Sequence, residues 1–202
     1  MTWDGADAEG AARWIYERAG IDPEAPPGPS KLAQALGIVV ATAPRRAAWG
    51  HGCIVRQGEK WSIWLAPRLP EHHQAFAVAH ELAEWAHRSR SEAVSEPLCD
   101  ATAAAILAPW TAFRAQLDGG APDFPRLAAA FRTTESCVAL RLGEVTGRPL
   151  ALVTPAAVRV RGDEWSWPDE ATVRRLVRAD DRHGLGLIRL GDERGRAVLL
   201  AA

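Results

Sequence analysis

The sequence predicts a mixed α+β domain followed by smaller elements, and three observations point to it. Two stretches, residues 71–88 and 97–107, are predicted to be helices that follow each other closely: the first has an acidic start and a basic end, and the second ends before Pro109. Short runs of β-branched and aromatic residues, bounded by glycine or proline, come before them and return after residue 150. The chain has 202 residues, 48% hydrophobic and 24% charged, so it can bury an ordinary core and is not disordered.

The predicted elements can be placed in order along the chain. A first helix is expected at 6–19, and the proline-rich residues 22–29 form a loop because proline fixes φ and removes donors. Ser30 is the predicted N-cap of a helix at 31–36, which Gly37 ends. The elements predicted next are strands at 38–40, 52–56 and 60–65, helices at 71–88 and 97–107, two short helices within 127–147, strands at 150–153 and 158–161, a helix at 169–178, and a hairpin of strands at 185–190 and 197–200.

These elements divide the chain into three predicted parts: a main domain at 1–118, a helix-turn-helix-like segment at 119–148, and a small α/β extension at 149–202. The second part has the residue spacing of a helix-turn-helix, whose second helix reads DNA in other proteins. Its cations Arg141 and Arg148 are matched by Glu135 and Glu144, which is a poor footprint for phosphates. A packing role is therefore favoured, and DNA binding through this segment is kept as an alternative.

Composition excludes several classes of protein. The formal charge is −1, from 24 basic and 25 acidic residues, which argues against a chain that mainly coats nucleic acid or anionic membrane. Three distant cysteines give neither a disulfide framework nor a thiolate zinc site, and they fit a reducing compartment. The N-terminal residues lack the pattern of a secretory signal, and the longest apolar stretch, 101–110, is about half of a ~20-residue membrane span. We expect a soluble, cytoplasmic protein.

Histidines are concentrated in one helix. Four of the six fall within sixteen residues, namely His72, His73, His80 and His87. The segment from His80 to Glu84 reads H-E-L-A-E, close to the H-E-x-x-H of zinc peptidases, in which two histidines bind the ion and the glutamate is a general base. His80 and Glu81 match that pattern, whereas Glu84 stands at the second histidine position.

Carboxylates complete the predicted site. His87 lies seven residues from His80, about 10.5 Å along a helix axis, which is too far for both imidazoles to bind one ion. Glu84 is better placed, because residues four apart share a helix face and a carboxylate is an allowed zinc ligand. On the following helix, Glu96 can supply the third ligand while Asp100 accepts the distal N–H of His80.

These two segments resemble the ImmA/IrrE family of bacterial zinc metallopeptidases. The run from Ala79 to Glu84 matches the family's A-H-E-L-x-H. Residues 96–109 match the family's second segment, which has an acidic residue, then an Asn or Asp, and then an alanine-rich helix that ends in proline. The chain departs from the pattern at Glu84, at Ala108 in place of the usual methionine, and at Thr102 in a commonly aromatic place.

The resemblance covers roughly residues 30–150. It implies a zincin-like fold in which the two site helices pack face to face beside a small sheet. It also implies a cytoplasmic protein that cleaves or senses a regulatory protein such as a transcriptional repressor, with Zn²⁺ as the cofactor.

Glu84 changes the expected chemistry. Zn²⁺ held by His80, Glu84 and Glu96 has a net charge of zero, so the ion is a weaker Lewis acid than at a more cationic centre. More oxygen ligands also favour harder ions such as Mn²⁺. Without any metal, these carboxylates together with Glu81 and Asp100 crowd like charges, and at least one pKa should rise.

Three functional states remain open from the sequence. The favoured one is a metal-dependent endopeptidase acting on a regulatory protein, in which His80, Glu84 and Glu96 bind Zn²⁺ or Mn²⁺. In it Glu81 activates water and Asp100 orients His80. A weak enzyme and a metal-free pseudo-peptidase that serves as a sensor or partner-binding module are the alternatives.

Overall fold

The fold was examined in a computed structural model. It describes residues 5–44, 50–90, 94–117, 122–147, 150–153, 158–161, 171, 185–189 and 197–201. The helices of this part are α1 (Gly5–Ala19), α2 (Pro29–Ala35), α3 (Glu71–Ser89), α4 (Glu96–Leu107), α5 (Trp110–Ala115), α6 (Phe124–Ala130) and α7 (Glu135–Thr146). The strands are β1 (Val39–Thr42), β2 (Gly52–Gln57), β3 (Lys60–Leu65), β4 (Leu150–Val153), β5 (Val158–Arg161), β6 (Leu185–Arg189) and β7 (Ala197–Ala201).

The strands form two sheets. The first has the order β1-β3-β2, with β1 parallel and β2 antiparallel to β3. The second is antiparallel, with the order β5-β4-β7-β6. Helices and strands are thus mixed, which confirms the predicted α+β class. No helix in the described part of the chain combines the length and apolar character needed to cross a membrane.

The main core lies between the first sheet and helices α1 to α4. Val78, Leu82 and Trp85 recur at helical spacing on α3 and are buried in it. The helix α4 is buried from Cys99 to Leu107 and is rich in alanine, and small side chains let neighbouring helices approach closely. As a result α3 and α4 pack directly against each other, and both contact α1.

The N-terminal helix is also tied to α4 by a polar contact. The Tyr16 hydroxyl donates a hydrogen bond of 2.6 Å to the carbonyl oxygen of Ile106, and both residues are buried. Burial raises the pKa of Tyr16, so the hydroxyl keeps its proton. This contact fixes α1 against the C-terminal end of α4.

The structure corrects some local expectations. Ser30 is not the N-cap of α2, because the helix begins at Pro29 and Gly28 caps it with a φ of 94°. Proline is suited to the first helical turn, where its missing N–H has no helical partner. The helix α5 was not expected from the sequence, since six residues are too few for a visible period. The helix predicted at 169–178 lies outside the described residues, apart from residue 171.

The two short helices predicted within 127–147 correspond to α6 and α7. The Thr134 side chain caps α7 by accepting a hydrogen bond of 3.1 Å from the Cys137 N–H. Gly147 ends the helix in the left-handed conformation. Together with α5 and β4, these helices enclose a second core around Phe113 and Leu127.

Candidate functional site

The predicted site residues lie on the two central helices. His80, Glu81 and Glu84 are on α3, while Glu96 and Asp100 are on α4, which begins at Glu96 behind the Ser95 N-cap. Because α3 and α4 pack together, the two sets of side chains come to the same part of the molecule.

His80 contacts both acidic residues of α4. Its Nδ1 lies 3.1 Å from Asp100 Oδ1, and its Nε2 lies 3.5 Å from Glu96 Oε2. Burial lowers the pKa of His80, but the hydrogen bond to Asp100 and the nearby negative charges outweigh it, so the pKa is raised. With Nδ1–H donating to Asp100, the Nε2 atom faces Glu96, which is the orientation a ligand would need.

Glu81 is buried against the first sheet, with 5% of its surface exposed. Its carboxylate accepts a backbone hydrogen bond from Ile54 in β2, while Oε2 is buried without any hydrogen-bond partner in the described structure. The pKa of Glu81 is raised to about 7: burial is the main cause, Glu84 and Glu96 add to it, and His80 and the Ile54 N–H oppose it. A carboxyl group with this pKa can take up or release a proton near neutral pH.

Glu84 is engaged with a cation of its own helix. Its carboxylate forms an ion pair with the Arg88 guanidinium, four residues later on α3. The Glu84 side chain is 21% exposed, so this pair lies at the edge of the site. The residue at the second histidine position of the motif therefore already has a positive partner.

The spacing of the site side chains determines how many of them could bind one metal ion. Two ligands about 2.1 Å from one tetrahedral zinc lie about 3.4 Å apart, and the separation of His80 and Glu96 is close to this. Glu84, the third predicted ligand, is paired with Arg88. In the described ranges no three His, Cys, Asp or Glu side chains are placed to hold one ion. The residues thus fit two ligands and do not fit the three that a zinc peptidase uses.

Comparison with known proteins identifies the family. Residues 33–143, which contain both site helices, match the IrrE N-terminal-like domain. The chain belongs to this family. The match confirms the ImmA/IrrE resemblance predicted from the motifs, and the division of the chain into three parts stays a prediction. A search of the curated proteins gives no significant match.

Among solved structures, this IrrE-like chain is similar to a transcriptional regulator of Mycobacterium tuberculosis. The two superpose with a TM-score of 0.61 over 96% of this chain and 75% of the other, at 15% sequence identity. At this identity the likeness shows a shared fold.

Two residues near the site were missed by the sequence interpretation. Arg88 lies four residues after Glu84, and this i,i+4 spacing of opposite charges was a visible signal for the ion pair. Gly52, in β2, gives the Glu81 carboxylate room, because a Cβ at this position would be 3.3 Å from Glu81 Oε1. No local pattern marks Gly52, since the contact depends on how β2 meets α3.

Two cysteines also lie within electrostatic reach of the site. The pKa of Cys99 is raised to about 12, mainly by burial and in smaller part by the charges of Glu84 and Glu96. Burial and the charge of Glu81 likewise raise the pKa of Cys53 in β2. Both thiols are therefore held protonated, and they are poor metal ligands in this state.

The other histidines of α3 have different surroundings. His72 and His73 contact each other with ring centroids 4.5 Å apart, and His73 also stacks on His51 at 5.7 Å. His87 is fully buried, and its Nε2 lies 3.1 Å from the Thr102 hydroxyl on α4. Thr102 stands where the family commonly has an aromatic residue, and here it lies beside the buried imidazole of His87.

The helix α7 does not present a surface for DNA. Every residue from Glu135 to Gly143 is buried. Arg141 is fully enclosed, donating to the Ala108 carbonyl at 2.6 Å, to Glu144 at 2.9 Å and to Glu9 of α1. A helix that reads the major groove must expose its base-contacting side chains, so this burial favours the packing role. Arg148 lies outside the described residues.

A cavity of about 560 Å³ lies away from these residues, at the beginning of α3. Its walls include Tyr16, Pro27, Glu71 and Phe131, and they contain no predicted site residue.

Proposed function

We propose that this IrrE-like chain is a regulatory protein that binds a protein partner at the surface where α3 and α4 meet, around Glu84 and Glu96, without metal-dependent hydrolysis. The ion pair between Glu84 and Arg88 carries the proposal. It supplies at the second motif position the positive charge that a metal supplies in a zinc peptidase. With Glu84 on Arg88, no three His, Cys, Asp or Glu side chains of the described residues are placed to hold one ion.

The membership of a peptidase-like family supports the partner class. A fold that receives polypeptide chains can keep its binding surface after a metal ligand changes, because binding needs only the shape and polarity of that surface. The protein partner is therefore proposed to be a regulator, of the kind that the ImmA/IrrE resemblance implies.

The metal content of the chain tests this proposal. Protein purified without chelator is analysed by mass spectrometry for transition metals, and Zn²⁺ and Mn²⁺ are titrated by calorimetry. We expect far less than one ion per chain. Glu84→His restores the histidine pair of the motif and should tighten Zn²⁺ binding at least about tenfold. A stoichiometric, tightly held ion in the wild-type chain would overturn the proposal.

Glu59→His is the matched control for that variant. Glu59 is exposed in the turn between β2 and β3, so a histidine there adds a ligand to the chain without adding one to the site. Its Zn²⁺ affinity should stay at the wild-type value. Equal gains in the two variants would mean that the added imidazole binds zinc wherever it stands.

A metal-dependent endopeptidase is the second candidate. The contact between His80 and Asp100 and the buried Glu81 favour it, since these are the groups that such an enzyme needs to orient a ligand and to move a proton. It requires Glu84 to leave Arg88 and join His80 and Glu96 around Zn²⁺ or Mn²⁺. In that case Glu81→Gln should abolish cleavage of a protein substrate while the ion is retained, and unchanged cleavage would remove Glu81 as the base.

A further inference from the structure

The cavity at the beginning of α3 has the size of a binding site for a small molecule. Its volume of about 560 Å³ lies within the range of about 300–1,000 Å³ that is usual for such sites. Glu71, which lines the cavity, and Glu84 are at opposite parts of α3, about 20 Å apart along the helix axis. A molecule in the cavity would therefore leave the surface around Glu84 and Glu96 open.

The apolar part of the cavity wall comes from two parts of the fold. Tyr16, Ile106 and Leu107 are buried members of the main core. Phe131, which follows α6, packs against the second core, with its ring centroid 5.5 Å from that of Phe113. Because the Tyr16 hydroxyl already donates to Ile106, its ring is the part that a ligand can contact. Two aromatic rings in one wall suit a ligand that is itself aromatic.

The loop between α1 and α2 forms a further part of the wall. Pro26, Pro27 and Pro29 all line the cavity, and Gly28 between them turns the chain with a φ of 94°. Proline fixes φ, so this part of the wall is already ordered before anything binds. A preformed wall lowers the entropy cost of binding.

The charged side chains of the wall favour an anion. They are two cations, Lys31 and Arg132, and one carboxylate, Glu71. Both cations are exposed, and neither forms an ion pair in the structure of the described residues. The cavity therefore has a net positive charge and two donors that an anionic ligand can use.

The backbone at Arg132 gives a separate reason to assign a role to this side chain. Arg132 follows the C-cap of α6 with a φ of 49°. Its N–H donates to the Ala129 carbonyl at 3.2 Å, and the Thr133 N–H donates to the Ala128 carbonyl at 2.9 Å. These are the two hydrogen bonds of a Schellman motif, in which glycine usually occupies the left-handed position. Backbone preference does not explain an arginine there, and such residues are frequent at ligand sites.

We propose that this cavity binds a small aromatic carboxylate, whose ring packs against Tyr16 and Phe131 and whose carboxylate is bound by Arg132 and Lys31. A guanidinium can donate two parallel hydrogen bonds to one carboxylate, and the ammonium of lysine adds a second charge. No covalent bond forms or breaks. This inference goes beyond the proposed function, because it assigns a ligand to a different part of the molecule.

Calorimetric titration of the whole chain with two matched probes tests this inference. The probes are 1-naphthylacetate and its neutral amide, 1-naphthylacetamide, which have nearly the same shape. EDTA is present, so that the carboxylate cannot bind through a metal ion at His80, and the salt is about 50 mM, where charge pairs are weakly screened. We expect naphthylacetate to bind with a Kd of about 1 mM or tighter, and the amide to bind at least about threefold more weakly.

Variants locate the binding to the cavity. Arg132→Gly should weaken naphthylacetate at least about threefold without lowering the melting temperature, because glycine adopts the left-handed conformation readily. A merely structural arginine would not combine these two results. Arg68→Gly is the matched control, since Arg68 is also exposed, has a φ of 64° and does not line the cavity. Lys31→Gln should also weaken binding, and it decides the location if Arg132→Gly lowers the melting temperature.

Four results would overturn the inference. The first two, measured on the wild-type chain, are no binding of naphthylacetate at about 10 mM and equal binding of the amide. The other two are equal losses in Arg68→Gly and Arg132→Gly, and unchanged binding in both Arg132→Gly and Lys31→Gln. Because EDTA removes metal from every sample, these results leave the proposed function untouched. A stoichiometric metal ion in the chain would overturn that function and leave this inference standing.

Discussion

On α7 the buried charge is a cation held between carboxylates, whereas on α3 it is a carboxylate placed among other carboxylates. Arg141 contacts Glu9, Glu144 and a backbone carbonyl, and so links α1, α7 and the end of α4. Glu81 has one backbone donor, an oxygen without any, and two glutamates nearby. Opposite charges stabilise the arrangement around Arg141. Around Glu81, like charges repel one another and destabilise the ionised carboxyl group.

This difference distinguishes a structural ion cluster on α7 from the candidate site on α3. A buried arginine that reaches three parts of the fold holds them together, and its loss leaves acids enclosed without a cation. A buried acid that is repelled by neighbouring acids destabilises its own site while it is charged. That cost is relieved when the acid takes up a proton or when a positive ligand binds beside it. The two regions should therefore respond differently to mutation.

The largest effect is expected from Arg141→Met. Removing the guanidinium leaves Glu144 buried beside an apolar side chain, and breaking a buried ion pair in this way costs about 3–5 kcal/mol. Urea denaturation should show this loss in the free energy of unfolding. Arg114→Met, on an exposed position of α5, is the control and should change it by less than about 0.5 kcal/mol. A loss below about 1 kcal/mol for Arg141→Met would mean that the α7 cluster is not structural.

Glu81→Gln should stabilise the folded chain instead of destabilising it, by an amount that depends on pH. Since the pKa of Glu81 is raised from 4.5 to about 7, the folded chain binds this proton more tightly than the unfolded chain does. Wild-type stability therefore falls as the pH rises from about 4.5 to about 7. The variant should be more stable than wild type by up to about 3 kcal/mol at about pH 8 and nearly equal to it at about pH 4.5.

Thermal unfolding at these two pH values measures the effect of Glu81→Gln. Glu59→Gln is the control and should stay within about 0.5 kcal/mol of wild type at both. If the Glu81 variant were destabilised equally at both pH values, the buried carboxylate would be a stabilising group, and the contrast with α7 would disappear.

A smaller effect is expected where α3 and α4 meet away from the predicted site residues. Thr102→Val keeps the shape of the side chain but removes the hydrogen bond to the buried imidazole of His87. The loss should be about 1–2 kcal/mol in urea denaturation. Thr111→Val, at an exposed position of α5, is the matched control. No difference between the two variants would show that this contact does not contribute to the packing of α3 on α4.

The smallest effect is expected from Arg88→Ala. The Arg88 side chain is 47% exposed, and exposed i,i+4 pairs contribute about 0.3–0.5 kcal/mol. The loss should vanish at about 1 M salt, where exposed charge pairs are screened. A loss above about 2 kcal/mol that persists in salt would place Arg88 with Arg141 as a structural cation.

The helices that carry the predicted site residues could be predicted because their signals are local. The charged ends of α3 and the prolines that bound α3 and α4 indicate them, and the contact of Asp100 with His80 follows once the two helices pack together. The i,i+4 spacing of Glu84 and Arg88 also indicates their ion pair, although the motif at the same positions points to metal ligands. Spacing along one helix was sufficient for these features.

Features that depend on distant parts of the chain could not be predicted. Arg141 and Glu9 are 132 residues apart, and no pattern in the sequence joins them. The burial of Glu81 depends on Gly52 and Ile54, which belong to a strand whose place beside α3 is a property of the whole fold. The pKa of Glu81 follows from that burial.

The hydrogen bond from Tyr16 to Ile106 has a consequence for the order in which the chain is made. The two residues are 90 positions apart, and synthesis at about 5–20 residues per second separates them by roughly 5–20 s. During this interval α1 has no α4 to pack on, although α2 and α3 are already available to it. The main core, which contains Ile15, Tyr16 and Ile106, can therefore be completed only after residue 107 has been synthesised.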